Sequence, residues 1–226
     1  MTDLKGVHDW IDFITNKAIG QYFTPPEIDA ALHRGQMAHF NTLYSTSYLA
    51  EKIHDGLAPF KAYPNYSFLT SDTPSGLLTL PTTYQYLTGG HIIVVNGSHT
   101  EYNKIEIYAE DEISVRLMDQ IKPVSASKPV ATIAGRDPAT QQTKIQLYPK
   151  TAMAGEIFYL RQPTAPMMAF TQTGRTITYD PDASVQLEWN EVELNDVMLA
   201  ALEYLGVSED DVNIAQYANQ KEKEID

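Results

Sequence analysis

NEVELNDVMLAALEYLG, running from Asn190 to Gly206, contains every signal of one complete amphipathic helix. Asn190 suits the N-cap, and Glu193 three residues later completes a capping box. Leu194, Val197, Met198, Ala201, Leu202 and Leu205 recur at spacings of three and four, which stacks them on one helix face. Gly206 follows in the position where a left-handed residue ends a helix. Such a stripe needs a partner, because an isolated amphipathic helix leaves its apolar face in water. The acidic side chains Glu191, Glu193, Asp196 and Glu203 are expected off the stripe, facing water or a partner of opposite charge.

Partners for the stripe are found at the other end of the chain. Val7, Trp10, Ile11, Ile14 and Ala18 follow helical spacing. A second helix opens at Thr24 as N-cap, with Pro25 at the first helical position and Glu27 closing another capping box. Ile28, Leu32, His39 and Leu43 make its inward stripe, and Ala31 and Gly35 are small enough to let another helix approach closely. A shorter helical piece is expected from Leu49 to Leu57, before Pro59. Beyond Gly206, Ser208 and Asp211 open a further helix through Val212, Ala215 and Tyr217, fading into KEKEID.

Between these helical ends, short β-branched runs alternate with turn residues about every ten positions, the pattern of an antiparallel β domain. The runs are LLTL (77–80), HIIVV (91–95), KIEIY (104–108), ISVRL (113–117), VATIA (130–134), KIQLY (144–148), EIFYLR (156–161) and TITY (176–179). Asn96-Gly97 and Gly89-Gly90 are hairpin-type turn signals. KIEIY and KIQLY alternate, with one face expected buried and the other wet; HIIVV is continuous and expected covered on both sides. The expected fold class is therefore α+β: a bundle of N- and C-terminal helices (1–60 and 181–226) with an inserted antiparallel β domain (61–180), sandwich or barrel.

Composition limits the chemistry. The 226 residues include no cysteine, which excludes disulfides, thiolate nucleophiles and cysteine-ligated zinc. No run of about 18 apolar residues occurs, so no membrane partner is expected, and the start MTDLKGVHDW lacks the pattern of a secretory signal. The net charge of −13 is concentrated at one end. Residues 1–60 carry 4 Lys/Arg against 7 Asp/Glu and residues 61–180 carry 10 against 10, whereas residues 181–226 carry 2 against 12. That acidic end disfavours nucleic-acid binding, which needs cations to displace counterions.

A search for catalytic patterns finds none. His33 and His39 are six apart and His91 and His99 eight apart, neither of which matches a helical ligand pair. His39, on an apolar stripe, reads as a core or interface histidine. His99 and Glu101 share a strand face but make only a two-residue constellation, too little for a metal site. No nucleophile elbow or phosphate-binding loop appears. Glu110-Asp111-Glu112 is the densest carboxylate cluster of the β domain, and a hydrolase would need such groups on facing elements. Fourteen tyrosines raise the thought of sugar binding, but their places within strands and beside prolines suit packing and interfaces. The expectation is a non-enzymatic protein without catalytic, metal-binding or cofactor-binding residues.

One resemblance adds to this reading. LPTTYQYL (80–87), IKPVSASKPVA (121–131), IQLYP (145–149), YLRQPTAP (159–166) and YDPDASVQLEW (179–189), followed by the helix ending at Gly206, resemble virion structural proteins of short-tailed bacteriophages, particularly the crAss-like group. The resemblance implies a neck, or head-to-tail connector, protein. Such a protein forms a homo-oligomeric ring, usually of about twelve subunits, whose unlike side surfaces must match. It implies as partners the portal protein and other neck or tail rings, with genomic DNA passing through the centre without specific binding. The place would be the virion neck, and the host cytoplasm during assembly. On that view Glu191, Glu193, Asp196 and Glu203 form a partner surface or a channel lining. The alternative is a receptor- or carbohydrate-binding β module of a phage tail or surface protein.

Overall fold

In the computed structural model the described residues are 3–49, 55–62, 66–69, 76–96, 98–150, 154–173 and 176–207. In chain order the elements are α1 (Leu4–Ile19), α2 (Pro25–Leu49), a 3₁₀ helix (Asp55–Phe60), β1 (Tyr66–Leu69), β2 (Leu77–Thr79), β3 (Tyr84–Asn96), β4 (His99–Lys104), β5 (Glu106–Ile107), α3 (Glu110–Leu117), β6 (Val130–Arg136), β7 (Thr143–Tyr148), β8 (Ala154–Arg161), β9 (Phe170–Thr173), β10 (Thr176–Tyr179) and α4 (Glu191–Tyr204). They divide into two compact units, residues 1–59 with 163–226, and residues 60–162. The fold is α+β, with helices from both ends of the chain flanking a β unit.

The first unit is the helical one. Thr24 starts α2 as expected, and the Glu27 carboxylate accepts both the Thr24 backbone N–H at 2.8 Å and its hydroxyl at 2.7 Å. The hydroxyl bond, then the backbone one, holds Glu27 below the usual carboxylate range. Inward-facing Leu4, Val7, Ile11 and Ile14 of α1 and Ile28, Leu32 and Phe40 of α2 are buried. The α4 stripe behaves likewise: Leu194, Val197, Met198, Ala201 and Leu202 are buried, and Leu205, just past the last helical turn, is half-buried. Helix α4 ends in a complete Schellman motif. Gly206, at φ 85°, donates to the Glu203 carbonyl and Val207 to the Leu202 carbonyl. Gly35 decides how α2 and α4 meet. A Cβ there would lie 2.7 Å from the Val197 carbonyl oxygen and 2.8 Å from the Ala201 nitrogen, so the two helices touch through their backbones.

A hairpin, β9 with β10, belongs to this same unit. The TITY run is therefore a strand, but not of the inserted domain, which ends at 162 rather than 180. Tyr179 shows why. Its hydroxyl donates to Asp3 at 2.7 Å and accepts from Gln186 at 2.8 Å, tying the hairpin to the start of α1. The expected helix beyond Ser208 lies outside the described residues.

The second unit is a sandwich of two four-stranded sheets, ordered β1-β8-β3-β4 and β2-β7-β6-β5. The first is antiparallel; the second is mixed, because β5 and β6 run parallel. Phe68, Ile92 and Ile157 from one sheet meet Leu78, Ile145 and Leu147 from the other in a single core. KIEIY does not form one strand. Lys104 ends β4, buried Ile105 enters the core, and the chain continues as β5 in the opposite sheet.

Three other expectations are corrected here. ISVRL is not a strand but the body of α3, preceded by the acidic turn Glu110–Glu112 and ended near Arg116, charges that suit the two ends of a helix dipole. Gly89-Gly90 is not a turn but lies inside β3 at a break in register. A Cβ on Gly90 would stand 2.9 Å from the Glu156 carbonyl oxygen, so glycine there answers a close strand approach. HIIVV is not covered on both sides, since Ile92 is buried while Val95 is exposed.

Candidate functional site

Among the described residues, a cluster of ionisable groups close enough to share an ion is built where α4 faces α2. Asn190 caps α4 by accepting the Glu193 backbone N–H at 2.9 Å, which fixes the rotation of the first turn. Positions 193, 197 and 201 then fall on one row, and Glu193 is directed inward beside Val197. Its Oε2 lies 2.6 Å from His39 Nε2 of α2, and both side chains are nearly buried. The expectation that Glu193 stands off the stripe is therefore corrected: it is a buried, paired carboxylate. Gly56 leaves room for it, because a Cβ there would come within 2.6 Å of Glu193 Oε1. His39 also meets the Trp189 ring edge-on at 5.2 Å, as a core histidine should.

A polar chain extends from this pair. Trp189 Nε1 donates to Gln36 Oε1 at 3.3 Å, and the Gln36 amide donates to the Thr164 carbonyl at 2.8 Å. A second buried pair joins α1 to α2, with His8 Nε2 at 2.9 Å from Asp29 Oδ1. The other Asp29 oxygen accepts the Met168 N–H at 3.0 Å. Sequence reasoning missed His8 and Gln36. His8 was within reach, since Leu4, Val7, His8 and Ile11 share helical spacing.

His39, Glu193 and Asp196 place donor atoms within 4.8 Å of one another, the one such trio among the described residues. One imidazole and two carboxylates can ligate a cation; Glu193 stands in the first turn of α4, where the positive helix end already favours a carboxylate, and Asp196 lies one turn further on. The 2.6 Å bond to His39 also occupies Glu193. The arrangement works as a clamp between helices.

Glu191, Asp196 and Glu203 are exposed as expected, and they share the outer surface of α4 with exposed Val192 and Tyr204. This face is acidic with apolar spots, a composition suited to protein contact. Glu110, Asp111 and Glu112 all come from one turn of α3 and are exposed, so they do not form the facing pair a glycosidase uses. His99 is exposed at the start of β4, and no metal-sized cluster among the described residues includes it. On the outer face of the first sheet, His91 stands between Tyr102 at 5.1 Å and Phe158 at 5.2 Å, ring centre to ring centre.

No protein-family model matches the chain, and no curated protein matches it in sequence.

Proposed function

We propose that the chain is a non-enzymatic structural subunit that assembles into a ring of the neck, or head-to-tail connector, of a short-tailed bacteriophage. The observation that carries this reading is the division between buried and exposed groups. His8 and His39, two of the residues best able to do chemistry, are spent in buried carboxylate pairs that join helices. Among the exposed large apolar side chains, Val115, Leu117 and Met118 lie together at α3, and Val192 and Tyr204 lie beside the acids of α4, a composition that supports contact with other chains. The resemblance of residues 80–206 to phage neck proteins supplies the particular assembly. A lumen-facing acidic surface would let DNA pass without adhering, because it offers phosphates no cations.

The test is light scattering and electron microscopy of the purified chain, alone and with a portal ring. The expected result is a monomer alone, since a net charge of −13 opposes self-association, and a ring on the portal. A chain that stays monomeric with the portal, and is absent from the neck in images of the virion, would overturn the reading. A second reading, a carbohydrate- or receptor-binding β module, draws on exposed Tyr102 beside His91. Saturable binding of an oligosaccharide, abolished by Tyr102→Ala, would favour it.

A further inference from the structure

Among the described residues, an exposed apolar stretch begins in α3. Val115, Met118 and Ile121 are 74%, 79% and 90% exposed, three large side chains within seven residues. They are not scattered. Val115 and Met118 line a cleft of about 740 Å³ with Tyr108, and Asp111, Glu112 and Asp119 stand on its margin. Burying such side chains is worth about 25 cal/mol per Å² of apolar surface, so the stretch favours an occupant.

The charges decide what that occupant is. Arg116, which also lines the cleft, lies 3.9 Å from Asp119 and 3.7 Å from Glu106 and donates to the Lys122 carbonyl, so of the three acids on the margin it pairs with Asp119 and not with Asp111 or Glu112. Asp119 accepts the backbone N–H groups of Lys122 and Ile121, which hold it below the usual carboxylate range and therefore charged. Asp111 and Glu112 form no ion pair with any described residue. A segment that fits must bring large apolar side chains together with a cation.

The chain itself carries such a segment at the end of α1. Lys17 lies in the last helical turn, Gly20 ends the helix in the left-handed conformation, and Ile19 and Tyr22 are exposed, Tyr22 to 76%. We propose that the α3 cleft of one copy receives the end of α1 of a second copy, with Ile19 and Tyr22 against Val115 and Met118 and Lys17 beside Asp111 and Glu112. The two surfaces differ, so each copy still offers one of each after pairing, and the contact propagates from copy to copy. The inference rests on the ring reading and names the surfaces by which neighbours would meet. It also reconciles association with the net charge, since a local cation opposite two acids acts within the screening length of about 8 Å, where overall repulsion is damped.

The absence of cysteine permits a clean test. Full-length Tyr22→Cys and Met118→Cys proteins are mixed in the presence of the portal ring, on which copies are expected to meet, and treated with a short bis-maleimide, each thiol adding to one maleimide ring. The control replaces the second protein with Tyr102→Cys, whose site is similarly exposed at 66%. Because apposition raises the local concentration far above bulk, the 22–118 product should exceed the 22–102 product by about tenfold or more. Asp111→Lys with Glu112→Lys on the cleft copy should remove the excess, and Lys17→Glu on the other copy should restore it. If Tyr22→Cys does not fold, Ile19→Cys replaces it. Equal yields of the two products overturn the inference, and rings seen by microscopy alongside equal yields leave the ring reading standing. An enriched 22–118 product in a closed dimer upholds the pairing and removes the ring.

Discussion

Replacing Gly35 by alanine sets two well-separated effects against each other. Helix propensity alone favours the change, because Gly→Ala inside a helix stabilises by about 1 kcal/mol. The structure opposes it. The new methyl would sit 2.7 Å from the Val197 carbonyl oxygen, 2.8 Å from the Ala201 nitrogen and 3.2 Å from the Ala201 Cα. These are backbone atoms of α4, so no side chain can turn aside; the helices must part. Overpacking of this kind costs about 1–3 kcal/mol, and contact with rigid backbone belongs at the upper end of that range. The net expectation is a loss of about 2 kcal/mol. For a chain of this size that lowers the thermal midpoint by about 4–8 °C. The assay is thermal unfolding followed by circular dichroism at the helical band, which reports the first unit more strongly than the β unit. An unchanged or raised midpoint would refute the backbone contact and, with it, the described seat of α4 on α2.

Four further outcomes follow from particular residues. Leu202→Ala, at a fully buried position, should destabilise by about 2–5 kcal/mol in denaturant titration. His39→Ala leaves the buried Glu193 carboxylate without its imidazole and should cost about 3–5 kcal/mol; adding Glu193→Leu should recover part of that loss, which a double-mutant cycle measures. Asp137 is held at about 2, below its ordinary 3.8, first by the Lys144 ammonium and then by the Ala139 and Thr140 N–H groups. Its stabilisation is thus complete above the unfolded value and lost as pH falls through the folded one, so Asp137→Asn should flatten the acid-unfolding curve between those two values. Glu191→Lys, Asp196→Lys and Glu203→Lys together, scored separately for assembly and genome ejection, should block assembly if the α4 face meets a basic partner. Normal assembly with slowed ejection marks a channel lining, and normal behaviour in both leaves the face merely solvated.

Much of the helical unit was legible because its signals are local. Capping boxes, a left-handed terminator and a three-four spacing lie within single segments, and the structure places Thr24, Glu27, Leu194, Val197 and Gly206 as those signals require. Residues 113–117 misled because Ile113, Val115 and Leu117 alternate like a strand. The three acids before them and Arg116 near the end were the stronger evidence, since they match the two ends of a helix. Glu193 misled for another reason. Its row on α4 runs through Val197 and Ala201, but a carboxylate is assigned outward unless its partner is known, and His39 is 154 positions away. The α3 cleft was likewise invisible, because it depends on where Tyr108 and Met118 come together in the sandwich. Burial pairs of this kind carry no nearby signature.

The strand ends of the β unit lie side by side: Lys61 pairs with Leu160, and Ala62 donates to the Tyr159 carbonyl. On the ribosome this sets an order of events. The sandwich has all its strands once residue 161 has emerged, and it can close on itself at that moment. Helices α1 and α2 emerge first yet wait for α4, whose stripe is the last of their cover to be made. At synthesis rates of about 5–20 residues per second, the apolar face of α2 stays open for on the order of ten seconds. In the last part of that interval, after residue 161 has emerged, the nascent chain is a finished sandwich beside an unfinished bundle, and any chaperone demand should then fall on residues 4–49.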